Sequence, residues 1–136
     1  MSKILAFDFG TVRTGLAETD DLKMMAFGLD TIPTKEVFVY LNQYLKHNSV
    51  DTFVVGEPKQ MNGLESESEI YIKEFIKKLE STYHHIPIKR FDERFTSKMA
   101  FDTMIASGIG KKKRQNKGLV DKISATIILQ GYLDTI

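Results

Sequence analysis

ILAFDFGTVRTGLAET, Ile4 to Thr19, is the stretch around which the rest of the chain is organised. Ile4 to Phe7 is a short apolar run bounded by a turn signal, which reads as a strand covered on both faces. The run ends on Asp8. A carboxylate at the tip of a buried strand is costly unless something positive meets it. Gly10 and Gly15 follow, and they remove side chains beside that acid, so that a phosphate or a second strand can approach the backbone closely. Thr14 to Thr19 can pair back as the second strand of a hairpin. The pattern points to Asp8 as the anchor of a metal or phosphate site. The same residues also describe a tight hairpin with a solvated Asp at its turn, and D-x-G alone is a short motif.

Working outward, Lys23 to Ile32 reads as a third, meandering strand broken by Pro33-Thr34. Thr34 can cap a helix with Glu36 in its first turn. Val37, Phe38, Leu41, Tyr44 and Leu45 then fall on one helical face. Thr52 to Val55 is a second buried strand, ended by Gly56-Glu57-Pro58. Asn62-Gly63 marks a turn. Ser66 and Glu69 match a capping box, and Ile72, Phe75, Ile76, Leu79 and Tyr83 form the next helical face. Pro87 to Phe91 is a further buried strand, ended by Asp92-Glu93-Arg94. A helix is expected over 97–107, capped by Thr96 and stopped by Gly108 and Gly110. A last helix starts near Gly118, with Val120, Ile123, Ile127 and Ile128 toward the core. Strands alternating with helices imply parallel pairing and right-handed crossovers, so the fold class is α/β with an antiparallel opening hairpin.

A chain of 136 residues is expected to form one domain, 1–136, with a sizeable core. Its 42% hydrophobic and 27% charged content is ordinary for a soluble globular protein. The absence of cysteine excludes disulfides and thiolate metal sites and fits a reducing compartment. Three histidines offer little for zinc. No apolar run approaches the roughly 20 residues of a membrane span, and Asp8 interrupts the only early apolar run, so neither a membrane anchor nor a signal peptide is expected. Charge is unevenly placed. Residues 111–117, KKKRQNK, carry five positive charges, and since the whole chain carries +1, the remainder carries −4. A mildly acidic body with one basic loop suggests a local contact with a polyanion, although such a loop can also be a solvated tip.

Three apolar strands end on acids: Asp8, Glu57 and Asp92-Glu93. In open sheets with parallel strands, ligands bind at the carboxyl ends of the strands. If these strands are parallel neighbours, the acids converge. A fourth acid, Asp121, is expected in the first turn of the last helix. Ser124 and Ala125, three and four residues on, would let that helix end approach the sheet. Singly, each acid reads as a cap or a solvated charge. Together they call for a cation, and oxygen-only ligands point to Mg²⁺ or Mn²⁺.

Asp8-FGTVRTGLA, the strand VVGEP, the segment DERFTS from Asp92 and the tail NKGLVDKISATIIL, four motifs in order across essentially the whole chain, resemble the YqgF family. Its members are described as Holliday junction resolvases and as nucleases maturing the precursor of small-subunit ribosomal RNA. The resemblance implies the RNase H-like fold shared with the RuvC resolvases: a mixed sheet, antiparallel in its opening hairpin and otherwise parallel, flanked by helices. It also implies a metal-dependent phosphodiesterase in the bacterial cytoplasm. Carried over, the catalytic and metal-binding acids are Asp8, Glu93 and Asp121. The family's usual strand ending is V-V-G-L-P, so Glu57 stands where an apolar residue is common; RuvC-type resolvases carry an acid on the corresponding strand, which keeps Glu57 among the candidate ligands. The implied mechanism is direct hydrolysis with two metal ions about 3.5–4 Å apart. Arg13 and Arg94 lie beside the acids and could hold phosphates or balance charge. Lys111, Lys112, Lys113, Arg114 and Lys117 would grip nucleic acid, either structured RNA or branched DNA, with the protein acting as a monomer or homodimer. Two rivals remain at this stage. D-x-G-x-x-x-x-G also resembles the first phosphate loop of the sugar kinase and actin group, which closes two such domains over ATP. The other is a non-catalytic RNA- or DNA-binding module coupled to transcription.

Overall fold

The computed structural model describes residues 2–57, 69–92 and 117–135, with side chains from 124 onward in the last stretch. The elements are β1 (Lys3–Phe9), β2 (Arg13–Thr19), β3 (Ala26–Pro33), a 3₁₀ turn (Thr34–Glu36), α1 (Val37–His47), β4 (Val50–Glu57), α2 (Glu69–Thr82), β5 (Ile88–Asp92) and α3 (Lys117–Thr135). The helix expected over 97–107, the Asn62-Gly63 turn and the basic loop up to residue 116 lie outside the described residues.

The sheet runs β3-β2-β1-β4-β5. β1 is therefore central, antiparallel to β2 and parallel to β4, while β4 is parallel to β5. The parallel pairing expected of the three acid-ended strands is present, and their carboxyl ends share one edge of the sheet. β1 and β4 extend one or two residues beyond the apolar runs that signalled them, because ladder hydrogen bonds continue past the point where burial ends; β3 instead starts at Ala26, not Lys23, and takes in Pro33, and β5 is shifted by one residue to Ile88–Asp92.

Alternation along the strands divides the core in two. Leu5, Phe7, Leu16, Phe53 and Val55 pack beneath α1 and α2, with the Phe7 ring edge-on to Phe53 and to Phe75 at 5.5 Å each. Ile4, Ala6, Ala17 and Val54 face α3 and meet its Ala125, Ile128, Leu129 and Leu133. The small residues on this second face let the helix lie close. Gly131 continues that logic, since a Cβ there would run into the ring of Phe91.

Two local expectations change. Thr34 does not cap α1, whose N-terminal flanking residue is Glu36 with no side-chain cap. The Thr34 hydroxyl instead donates to the Gly10 carbonyl, so its oxygen accepts from Thr14 Oγ1 at 2.8 Å, and the Thr34 amide donates to Val12 O at 3.0 Å. One threonine thereby fastens the β1–β2 turn. Gly10 is required there because a Cβ would overlap the backbone carbonyl of Arg13. On α3, Ile128 is buried as expected, but Ile127 is only half-buried; Ser124, Ala125 and Leu129 take the sheet-facing stripe. The stripe that meets the sheet is offset from the expected one by part of a turn; the side chains of Val120 and Ile123, also expected toward the core, lie outside the described residues.

Candidate active site

Asp8 stands near the carboxyl end of the central strand, half-buried. Across the sheet its antiparallel partner is Gly15, which in turn pairs with Thr31. On the other side the parallel register pairs Phe7 with Val55, so the next step sets Asp8 level with Gly56, which pairs with Phe91. The row therefore reads Thr31, Gly15, Asp8, Gly56, Phe91. Both neighbours of the acid are glycines and contribute no side chain beside it. Alternation places Asp8 on the face of Ala6 and Val54, the face covered by α3.

Glu57 and Asp92 are register partners one step further along. They fall on the opposite face, that of Phe53 and Val55, as does Arg90. The three strand ends thus meet at one edge, yet Glu57 and Asp92 alternate away from the side of Asp8. Sequence alone could not show this, because it depends on the register between strands.

Arg90 was not singled out by sequence reasoning. Its Nε donates to Val55 O at 3.2 Å, and its Nη2 donates to Gly56 O at 3.0 Å and to Glu69 Oε1 at 2.8 Å. Glu69, expected to close a capping box with Ser66, spends that oxygen on Arg90; Ser66 lies outside the described residues. The Glu69 side chain is only 2% exposed. Its Oε2 has no hydrogen-bond partner among the described residues. This part-buried pair clamps the start of α2 and the edge strand onto the carbonyls of Val55 and Gly56. The available signal was an arginine inside the apolar run Pro87 to Phe91.

The other end of the sheet is organised differently. Glu18 accepts from Lys3 Nζ at 3.1 Å and from the Tyr44 hydroxyl at 2.7 Å, and burial followed by this contact holds the Tyr44 phenol well above its ordinary pKa. That acid serves an internal polar cluster.

Arg13 opens β2 at the same sheet edge as Asp8 and is half-buried. Lys117 opens α3. Asp121 is the fifth residue of the described helix, one residue past the first-turn position expected from a start at Gly118. Glu93, Arg94, Lys111, Lys112, Lys113 and Arg114 lie outside the described residues. Among the described residues no three His, Asp or Glu side chains come together as a metal cluster. The donor chemistry nevertheless fits a hard divalent cation at Asp8: a carboxylate oxygen at a parallel-strand terminus, flanked by glycines, in a chain without thiolates.

A family model described as "RuvX: Holliday junction resolvase" matches residues 2–135. The chain belongs to the RuvX family. The family that the sequence motifs resembled is thus the family found. A relative from Christiangramia forsetii named "Putative pre-16S rRNA nuclease" is 53% identical over 133 residues, covering 98% of each chain. A relative of the same name from Porphyromonas gingivalis is 52% identical over 134 residues, covering 98% of this chain and 97% of the other. Among solved structures, "T. thermophilus RuvC in complex with Holliday junction substrate" superimposes with a TM-score of 0.56 at 14% identity, covering 99% of this chain and 96% of that one. That likeness shows the RNase H-like fold. RuvX is a nuclease family, so the activity is hydrolysis of phosphodiester bonds. No helix among the described residues is long and apolar enough to cross a membrane.

Proposed function

We propose that this RuvX chain is a metal-dependent nuclease acting on structured nucleic acid at the carboxyl end of β1, and that its substrate is the 5′ end of the precursor of 16S ribosomal RNA. The observation that carries the site is the position of Asp8 between Gly15 and Gly56 on the α3 face. A bulky phosphodiester can approach an acid only where neighbouring side chains do not stand in its way. The substrate rests on relatives that share about half their residues over the whole chain and bear the name pre-16S rRNA nuclease. Resolution of a branched DNA junction is the second reading, supported by the family description.

Asp8, Glu93 and Asp121 are proposed to hold Mg²⁺ or Mn²⁺. Glu93 follows Asp92, the last described residue of β5, directly in sequence, and it is carried here by the resemblance of the DERFTS segment to the family. Position 121 shares a helical stripe with Ser124 and Ala125, both buried, with Ala125 packed against the sheet. The bound cation supplies charge neutralisation and an activated water. In the reaction, water adds to phosphorus and one ester bond breaks in line, leaving a phosphate on one strand and a hydroxyl on the other. Asp8 orients this centre from a rigid central strand, and Arg13 and Arg94 hold the flanking phosphates. One domain acting in the cytoplasm suffices. An RNA end needs one site and hence a monomer, while a junction needs two and hence a homodimer.

Side-by-side cleavage of an rRNA precursor and a four-way junction, with Mg²⁺ or Mn²⁺ and with chelator, tests this reading. Chelator-sensitive cutting of the precursor is expected. Binding without cutting of either substrate would establish the non-catalytic module instead.

Two further results are expected. Glu57→Leu should leave the cleavage rate at saturating metal nearly unchanged, since Glu57 alternates to the face of Val55; a loss of orders of magnitude would make it a ligand. Replacing Lys111, Lys112, Lys113, Arg114 and Lys117 by Ser should flatten the salt dependence of binding. Five phosphate contacts correspond to a slope of log affinity against log salt of roughly −3.5 to −4.5, and such contacts carry no sequence preference. An unchanged slope would place the nucleic acid elsewhere.

A further inference from the structure

We propose that the groove between the β1–β2 turn and the N-terminal parts of α1 and α2 is a second nucleic-acid subsite, which takes an unpaired nucleotide adjoining the scissile phosphate. The inference rests on the nuclease reading above and adds to it a site for single-stranded substrate.

The groove has a volume of about 490 Å³ and is built on Phe9, Phe38, Phe75 and Tyr71, with Lys35 and Lys78 at its sides. Phe9 follows Asp8 in β1, so its Cα lies about 3.8 Å from that of the acid. Alternation turns it to the other face, where its ring stacks on Phe75 at 4.8 Å. A strand passing round the tip of β1 from the α3 face would have a phosphate at Asp8 and its next nucleotide at the mouth of the groove beside Phe9. Tyr71 is 53% exposed although it belongs to an amphipathic helix, and it supplies a free aromatic surface. Lys78 Nζ already rests 4.6 Å above the Phe38 ring. One acid, Glu74, stands against the two lysines, which leaves the lining net positive. A second hollow of about 450 Å³ shares Thr11 and Lys35 and extends the groove past Val12 and Pro33. One exposed ring, Tyr71, set over packed phenylalanines and beside two lysines in an extended groove matches single-stranded nucleic acid: a base stacks on the ring and phosphates meet the lysines, without sequence readout. Double-stranded nucleic acid offers no exposed base face to such a platform.

The chain has no tryptophan, so Tyr71→Trp places a single indole reporter in the groove. Binding is measured in chelator on the full chain with a short oligouridylate and with an abasic strand of equal length. The indole emission should be quenched by the oligouridylate and not by the abasic strand. Tyr71→Ala should weaken binding of the oligouridylate by about 5- to 150-fold, the equivalent of one stacked base, and Tyr71→Phe should restore it. Lys35→Ser with Lys78→Ser should reduce the salt slope by about 1.4, two single-strand phosphate contacts. Equal binding by the wild type and Tyr71→Ala, or quenching by both strands alike, would overturn the subsite. Because no cleavage is read, these outcomes are independent of whether the precursor or the junction is cut.

Discussion

Asp8→Asn is expected to reduce metal-dependent cleavage by more than about 100-fold, since even an outer partner of a metal ligand is worth 10- to 100-fold. Asn keeps the shape of the side chain, so the packing of Gly15 and Gly56 around it is undisturbed and the unfolding midpoint should not fall. Glu93→Gln and Asp121→Asn should act in the same direction. Measured as kcat and KM on one substrate, the loss should appear in kcat, because the grip on phosphates resides in other residues. Full activity in Asp8→Asn would remove the assignment of the reaction centre.

Arg90→Ala is expected to produce the largest loss of stability of any single change outside the apolar core. Glu69 is 2% exposed on its side chain, and Arg90 is the cation bonded to it. Removing the partner of a buried charge costs about 3–5 kcal/mol, because the remaining carboxylate stays in a poorly solvating place, and the 24% exposure of the Arg90 side chain puts this pair at the low end of that range. For a domain of this size that corresponds to a fall in Tm of roughly 10–20 °C. Two backbone carbonyls, of Val55 and Gly56, lose their donor as well. Replacing both members by apolar residues, Arg90→Leu with Glu69→Leu, should recover most of the loss, since paired removal leaves no buried charge. Thermal unfolding of the wild type and the two variants separates this from a surface contribution, which would be below about 1 kcal/mol.

Much of this architecture was legible because the apolar runs and their terminators are strong local signals. Ile4 to Phe7, Thr52 to Val55 and Pro87 to Phe91 each became a strand of the central sheet, and the faces of α1 and α2 follow the expected spacing. The place of Asp8 near the carboxyl end of the central strand was legible for the same reason, as the acid that ends the opening apolar run. What escaped was nonlocal. The opposite faces of Asp8 and Glu57 depend on the β1–β4 register, and the Arg90–Glu69 pair joins residues 21 positions apart across a helix and a strand. Thr34 looked like a cap by its place before a helix, but the β1–β2 turn competes for its hydroxyl. Ile127 is only half-buried because the stripe of α3 that meets Ala6 and Ala17 runs through Ala125, Ile128 and Leu129, and position 127 falls at its margin.

The most direct test is to locate the cation itself. Fe²⁺ substituted for Mg²⁺, with ascorbate and peroxide, cuts the polypeptide where the metal is held. Cuts are predicted beside Asp8 and beside Gly56, which flank one point of the sheet edge from two distant segments, and Asp8→Asn should abolish both. Cuts confined to other segments, or cuts at these positions that persist in Asp8→Asn, would contradict a metal centre at the end of β1.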